Sequence, residues 1–232
     1  MKRELGRLVH KIADEDLRNK VLALIEDLTV EIGGRTYEGL SIEDAPGGLR
    51  RHHAYPDGLL QHTVASATIA LTLCEIIEAI YEGTVDRDVV LAAILTHDLM
   101  KAQVYGWDHD GGYRWSRLGE RIDHLSLIVS ELIRRNFSVE VVHAVAAHHG
   151  REGPIRPHTI EALVCFVSDY ADATLNGEVL NAARFLIRDC AGGGEEPLTA
   201  KQAFATVYAK QEGGCEGVRR ALAKQERGKS PA

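Results

Sequence analysis

Cysteine is scarce and poorly placed for chemistry. The four cysteines, Cys74, Cys165, Cys190 and Cys215, are far apart and form no CxxC pair, which argues against a thiolate zinc site and against a disulfide framework. Cys74 and Cys165 sit in apolar helical stretches and read as core filler. No uninterrupted apolar run approaches the roughly 18 to 20 residues that would span a bilayer, so no membrane association is expected. The N-terminal MKRELGRLVHKIADED begins basic but is interrupted by charge, with no apolar signal core and no small-residue cleavage site. A cytoplasmic location is the expectation. An excess of positive charge is also missing: the net charge of −7 disfavours a nucleic-acid binder, whose affinity comes from clustered Lys and Arg. A small phosphate ester, which needs only one or two local cations, stays open. There is no internal repeat and no low-complexity tract.

What is present is helical periodicity. Residues 2 to 29 predict an amphipathic helix, with Leu5, Leu8, Val9, Ile12, Leu17, Val21, Leu24, Ile25 and Leu28 at three- and four-residue intervals, ended by Gly33-Gly34. Irregular loop follows to Gly58 and carries Arg50-Arg51-His52-His53. Helices are then predicted at 59 to 82, 87 to 100, 121 to 136 and 138 to 149, the last entered through Ser138 as N-cap. A sixth, capped by Thr159, runs to Leu175 and is stopped by Asn176-Gly177. Between Lys101 and Glu120, two aromatic stretches around Asp110-Gly111-Gly112 predict a small hairpin holding both tryptophans; these either wall the site or simply pack the loop. AGGGEEP after Cys190 reads as a hinge, 198 to 226 as helix broken at Gly213-Gly214, and GKSPA as a frayed end. The fold class is therefore all-α, a helical bundle with a hairpin insertion and a helical C-terminal appendage. The expected division is 1–49 as an N-terminal helix and loop, 50–190 as the core, and 191–232 as the appendage.

The chemistry lies in polar residues on apolar helices. A His-Asp dipeptide carries little by itself, and the chain has two. His109-Asp110 sits among glycines and reads as turn chemistry, whereas His97-Asp98 closes the apolar VVLAAILTHDLMK. The same anomaly recurs at His62, His124, His148-His149 and Asp169. One histidine on such a face is ordinarily a hydrogen-bonded core residue, but five such positions together need a shared explanation, because each unpaired buried charge or imidazole costs roughly several kcal/mol. Metal ligation satisfies them in one volume, as helix bundles do with side chains from facing helices. Imidazoles and carboxylates without thiolate suit Fe, Mn, Co, Ni or Zn rather than Mg or Ca. Six ligands exceed what one catalytic ion with open positions needs, so two ions are expected, with Asp98 as the bridge.

The pattern His62, His97-Asp98, His124, His148, Asp169 resembles the HD superfamily of metal-dependent phosphohydrolases, over roughly residues 50 to 180. GLLQHT is similar to that family's GGLLEHT, THDLMK to its LHDIGK, and SDYADA to its ADxxDA. The resemblance implies a bundle around one or two ions, with His62, His97, Asp98 and Asp169 on the first and Asp98, His124 and His148 on the second. It also implies that Lys101, the lysine of HDxxK, contacts a phosphate oxygen. HHGREGPIRP departs from the HHExxDGxGYP of the cyclic-dinucleotide branch, and the first 50 residues are too few and too helical for the OB-fold of the exoribonuclease branch. The approach DAPGGLRRHHAYPDGLLQHT and the stretch HHGREGPIRPHTIEALV most resemble archaeal HD phosphodiesterases acting on dihydroneopterin 2′,3′-cyclic phosphate, which are iron-dependent.

These readings predict attack on phosphorus by a hydroxide held between two divalent ions, Fe²⁺ first and Mn²⁺, Co²⁺, Ni²⁺ or Zn²⁺ as alternatives. Asp98 and Lys101 are the expected catalytic residues, with Lys101, Arg156, His149 and His53 as substrate contacts; His149 is alternatively a third-metal ligand, a proton donor or an outer-shell partner, and Asp172 either orients a ligand or caps local structure. The rivals are a di-iron oxygenase with the same ligand set and a noncatalytic metal-stabilised binding module. Oligomeric state is left open, with a homo-oligomer among the options.

Overall fold

Residues 89 to 105 are buried without exception, and a helix apolar on every side belongs at the centre of a bundle. The computed structural model, which describes residues 1–193 and 198–227, puts it there. α1 (Lys2–Val9) and α2 (Glu15–Glu26) come first, followed by a hairpin of β1 (Val30–Ile32) and β2 (Arg35–Tyr37). α3 (Gly58–Ala79) and the central α4 (Arg87–Thr96) follow; α1, α2 and α3 all pack on α4. After the one-turn α5 (Lys101–Val104), β3 (Tyr105–Trp107) pairs antiparallel with β4 (Tyr113–Trp115), register Tyr105 opposite Trp115. α6 (His124–Arg134), α7 (Val139–Ala146), a 3₁₀ turn at Gly150–Glu152, α8 (Ile160–Ala191) and α9 (Ala200–Arg227) complete the order. α8 lies along α3, α4 and α7, and α9 packs back on α8. The all-α class with a hairpin insertion and a helical appendage holds. By length and composition alone α3 would suffice to cross a membrane, with a mean hydropathy of 1.3 over its best window, but it packs between α8 and α4 with His62, Thr63 and Ser66 buried.

Several boundaries differ from the sequence expectation, each for a local reason. The helix expected over 2 to 29 breaks at His10–Asp14. Ile12 keeps the apolar rhythm because it is fully buried in the break, while the backbone N–H groups of Ala13 and Asp14 donate to the Asp88 carboxylate at 2.9 and 2.8 Å. Asp14 then caps α2 by accepting from the Leu17 N–H. Gly33-Gly34 turns the β1–β2 hairpin instead of ending a helix, both at positive φ. α4 stops at Thr96, so His97 to Met100 form a tight turn, closed by the Lys101 N–H donating to the Asp98 carbonyl.

The largest difference is α8, which runs through Asn176-Gly177 to a left-handed cap at Gly192. Asn176 does not stop it because its side chain is buried and spent on tertiary bonds: it accepts from the His53 N–H at 2.6 Å and donates to the Tyr55 hydroxyl at 3.1 Å. The expected break in α9 is present, with non-helical backbone at Gly213 and Gly214. The AGGGEEP hinge falls largely on residues 194–197 and GKSPA on 228–232, outside the described residues.

The expectation of no disulfide is also overturned in part. Cys190 and Cys215 are bonded, with sulfurs 2.11 Å apart, while Cys74 and Cys165 are free and buried. The 25-residue separation hid the pair in sequence; the α8–α9 hairpin brings the two ends together. Closing a loop of that length stabilises by about 3 kcal/mol in the chain-entropy account, so a Cys190→Ser, Cys215→Ser double variant should lose that much in denaturant unfolding.

Candidate metal centre

Five separate elements aim a polar side chain at one point. α3 brings His62 in its second turn. The turn after α4 brings His97 and Asp98. α6 brings His124 as its first residue, held by the Asp123 cap that accepts from the Ser126 N–H at 2.7 Å. The chain beyond α7 brings His148, and α8 brings Asp169. On one side His62 Nε2 lies 3.2 Å from His97 Nε2, 3.1 Å from Asp169 Oδ1 and 3.2 Å from Asp98 Oδ2. His97 Nε2 is 3.4 Å from the same Asp98 oxygen. On the other side Asp98 Oδ1 faces His124 Nε2 at 3.3 Å and His148 Nε2 at 3.7 Å. The two carboxylate oxygens of Asp98 therefore serve two different clusters.

The outward ring nitrogens fix the inward ones. His97 Nδ1 lies 2.8 Å from the Ile94 carbonyl and His148 Nδ1 2.7 Å from that of Val145. His62 Nδ1 is 2.7 Å from Asp172 Oδ2. With each Nδ1–H donating outward, Nε2 is left to present a lone pair inward, the usual device for orienting a metal-binding imidazole. The resulting donor set fits metal on an independent observation: Asp98 Oδ1, His124 Nε2 and His148 Nε2 are buried without any hydrogen-bond partner among the described residues. Leaving such atoms unsatisfied costs about 1–3 kcal/mol each. His62, His97, Asp98 and Asp169 lie close enough to share one ion, and so do His124, His148 and His149.

Charge is shared across the cluster. Burial opposes a proton on His62, but hydrogen bonds with Asp169, Asp172 and Asp98 hold its pKa well above the usual imidazole value. Burial likewise opposes charge on His97, and the neighbouring Asp98 outweighs it, raising the pKa to about 9. Burial would raise Asp98, yet Lys101 and His97 keep it ionised. Burial and the facing His97 push His148 down, so it stays neutral. Without metal the chain thus fills one side with protons and leaves the other side, at His148, bare.

Lys101 is buried, donating to Asp98 Oδ2 and, at 2.7 Å, to the Gly47 carbonyl. An ammonium has three donors, and among the described residues the third has no partner where Lys101 borders the adjoining cleft. That cleft, about 520 Å³, is lined by Lys101, His148, His149 and Asp169, with His52 from the loop before α3 and Arg151 from the 3₁₀ turn. His149 stands over His148, ring centroids 4.0 Å apart. The loop reaches the site because Gly58 opens α3: a Cβ there would lie 2.1 Å from the His53 carbonyl oxygen.

Some expected contacts lie elsewhere. His53 does not line the cleft; its Nε2 is 2.8 Å from Asp172 Oδ2 and its Nδ1 2.8 Å from the Tyr55 hydroxyl. Arg156 is exposed and is not among the residues lining the cleft, where Arg151 stands instead. Neither tryptophan lines the cleft; Trp107 stacks on Tyr113 at 4.6 Å, so the hairpin packs on itself. His52 and Arg151 were missed in sequence, although both lie beside residues singled out there. Asp172, held at a pKa of about 2, with burial overcome by His53 and His62, ties the loop to His62. Asp172→Asn should weaken metal binding by about 10- to 100-fold, read by competition with a chelating dye.

A helical bundle that gathers this donor set is the scaffold of metal-dependent phosphohydrolases, and the HD-domain family profile matches residues 59–174. The chain belongs to the HD-domain family and is a metal-dependent phosphohydrolase. It is 36% identical over 185 residues to the dihydroneopterin 2′,3′-cyclic phosphate phosphodiesterase of Methanocaldococcus jannaschii, covering 80% of this chain and 74% of that one. It is also similar to the 3′-5′ exoribonucleases YhaM of Listeria innocua, 31% over 144 residues, and Bacillus subtilis, 25% over 144 residues. In each case 57% of this chain matches 44% of the exoribonuclease, less than half of its length. No solved structure matches the chain.

Proposed function

We propose that this enzyme opens a five-membered 2′,3′-cyclic phosphate to a phosphomonoester, with dihydroneopterin 2′,3′-cyclic phosphate as the substrate, at a two-ion centre. The observation that carries the reading is the two-faced Asp98 carboxylate beside a cleft into which Lys101 has one free donor. The pterin is supported by the 36% identity to a phosphodiesterase of that name. His62, His97, Asp98 and Asp169 would hold one ion, and Asp98, His124 and His148 the second; iron is the first choice among ions that accept imidazole and carboxylate. Bound ions supply Lewis acidity at the phosphoryl oxygens and lower the pKa of a water.

The chain's own residues do the rest. Lys101 donates to a phosphoryl oxygen as negative charge builds there, and its bond to Asp98 holds it in place. In the reaction the water oxygen bonds to phosphorus, one ring P–O bond breaks, and the departing oxygen takes a proton. His149, whose pKa burial and His124 push down, lines the cleft as a hydrogen-bond partner, and a water of the cleft supplies the proton.

The test is anaerobic reconstitution with Fe²⁺, Mn²⁺ and Zn²⁺, followed by metal analysis and hydrolysis assays on the same sample, using cyclic and linear phosphate esters. About two ions per chain with opening of cyclic phosphates supports the reading. Bound metal without hydrolysis of any ester, but with oxygen consumption, would replace it with the oxygenase.

A further inference from the structure

The cleft has a second set of walls that the phosphoryl chemistry does not use. Phe166 and Tyr170, one turn apart on α8, line it with ring centroids 6.1 Å apart. Facing them is the 3₁₀ turn that carries Arg151 and Glu152, both exposed into the same cleft. Their positions follow from Gly150. It has φ +57°, and a Cβ there would lie 2.3 Å from the Phe166 ring, so only glycine lets the turn close down over the aromatic side chain. Arg151 and Glu152 are adjacent in sequence, yet among the described residues neither is ion-paired, with the other or with anything else. A guanidinium and a carboxylate thus stand unengaged beside an aromatic surface, within the cleft that Lys101 and Asp169 also line.

We propose that Glu152 is the specificity-determining residue of this cleft: it accepts the ring N–H and 2-amino donors of a 2-amino-4-oxopyrimidine edge, making guanosine 2′,3′-cyclic phosphate a second substrate. A carboxylate accepts two parallel N–H bonds, and Arg151 beside it donates to the ring carbonyl. Phe166 and Tyr170 offer the faces on which a planar heterocycle stacks. A pterin and a guanine present the same edge, whereas hypoxanthine lacks the amino group and adenine lacks both the carbonyl and the ring N–H. Discrimination by a site built to hydrogen-bond falls on the analogue that lacks the partner. The turnover part of this inference rests on the cyclic-phosphate reading; the recognition part rests only on the cleft.

The experiment therefore has two readouts. Hydrolysis of guanosine, inosine and adenosine 2′,3′-cyclic phosphates is compared in the wild type and Glu152→Ala, and binding of guanosine and inosine 3′-monophosphates is measured by calorimetry on the same preparations. The wild type should prefer guanosine over inosine by about tenfold in both kcat/KM and Kd, the worth of one charge-assisted hydrogen bond. In Glu152→Ala the ratio should fall to about one. Equal Kd values for the two monophosphates, or a preference that survives in Glu152→Ala, would overturn the assignment. If no cyclic phosphate is opened but the binding preference is present and lost in the variant, the assignment of Glu152 stands and the proposed reaction falls.

Discussion

Replacing Asp98 with asparagine is expected to lower phosphoester hydrolysis by about three orders of magnitude or more and to reduce metal content to one ion per chain or less. The reasoning is geometric. Asp98 Oδ2 is shared with His62 and His97, and Oδ1 faces His124 and His148. Among the described residues Asp98 places one carboxylate oxygen towards each cluster. Asparagine keeps the size but offers only one acceptor, so one cluster loses its shared oxygen. It also removes the charge opposite the buried Lys101, whose ammonium burial opposes and Asp98 sustains. Full hydrolysis with two ions retained in Asp98→Asn would defeat the bridging assignment.

The second large effect is on stability. An ion at 100 times its dissociation constant stabilises the folded chain by about 2.7 kcal/mol, which for a chain of this size raises Tm by about 5–10 °C. The gap should depend on pH. His97, with its folded pKa raised to about 9 in the metal-free chain, contributes stability that is complete below the unfolded value near 6.5 and is lost as pH rises through about 9. His62, also raised, acts in the same direction. Asp98 and Asp169 are lowered, so their contribution is present throughout that window. The metal-free chain should therefore lose stability from pH 6.5 towards 9, whereas metal binding, which displaces those protons, strengthens. Calorimetric scans of chelated and reloaded protein at pH 6.5 and 8.5 would check both the shift and the widening; a gap that shrinks with pH would contradict the charge assignment.

The candidate site was legible in the sequence because burial makes polar residues conspicuous. His97 and Asp98 follow a segment buried on every side, and His62 sits among leucines, valines and alanines, so their cost pointed to a shared ion. Termini were less legible where side chains do two things. Asn176 reads as a stop signal but is consumed by His53 and Tyr55, and the His10–Asp14 break was masked because Ile12 preserves the periodicity. Cys190 and Cys215 could be paired only once α9 was known to fold back on α8. Arg156 and Arg151 are both near the HHG motif, and the choice between them depends on the left-handed turn at Gly150, whose direction no spacing rule gives.

The wide spacing of the centre along the chain has a kinetic consequence. The six residues proposed as its ligands run from position 62 to position 169 on five elements, so the pocket exists only after α3 and α8 have met. Loop closure over such separations comes late in assembly. Ion capture is then the final event of refolding and a reporter that the whole bundle has closed. Ions added before folding would meet eleven histidines in a flexible chain and could be held in non-native sets, slowing recovery, whereas ions added afterwards should load a finished site in a single phase.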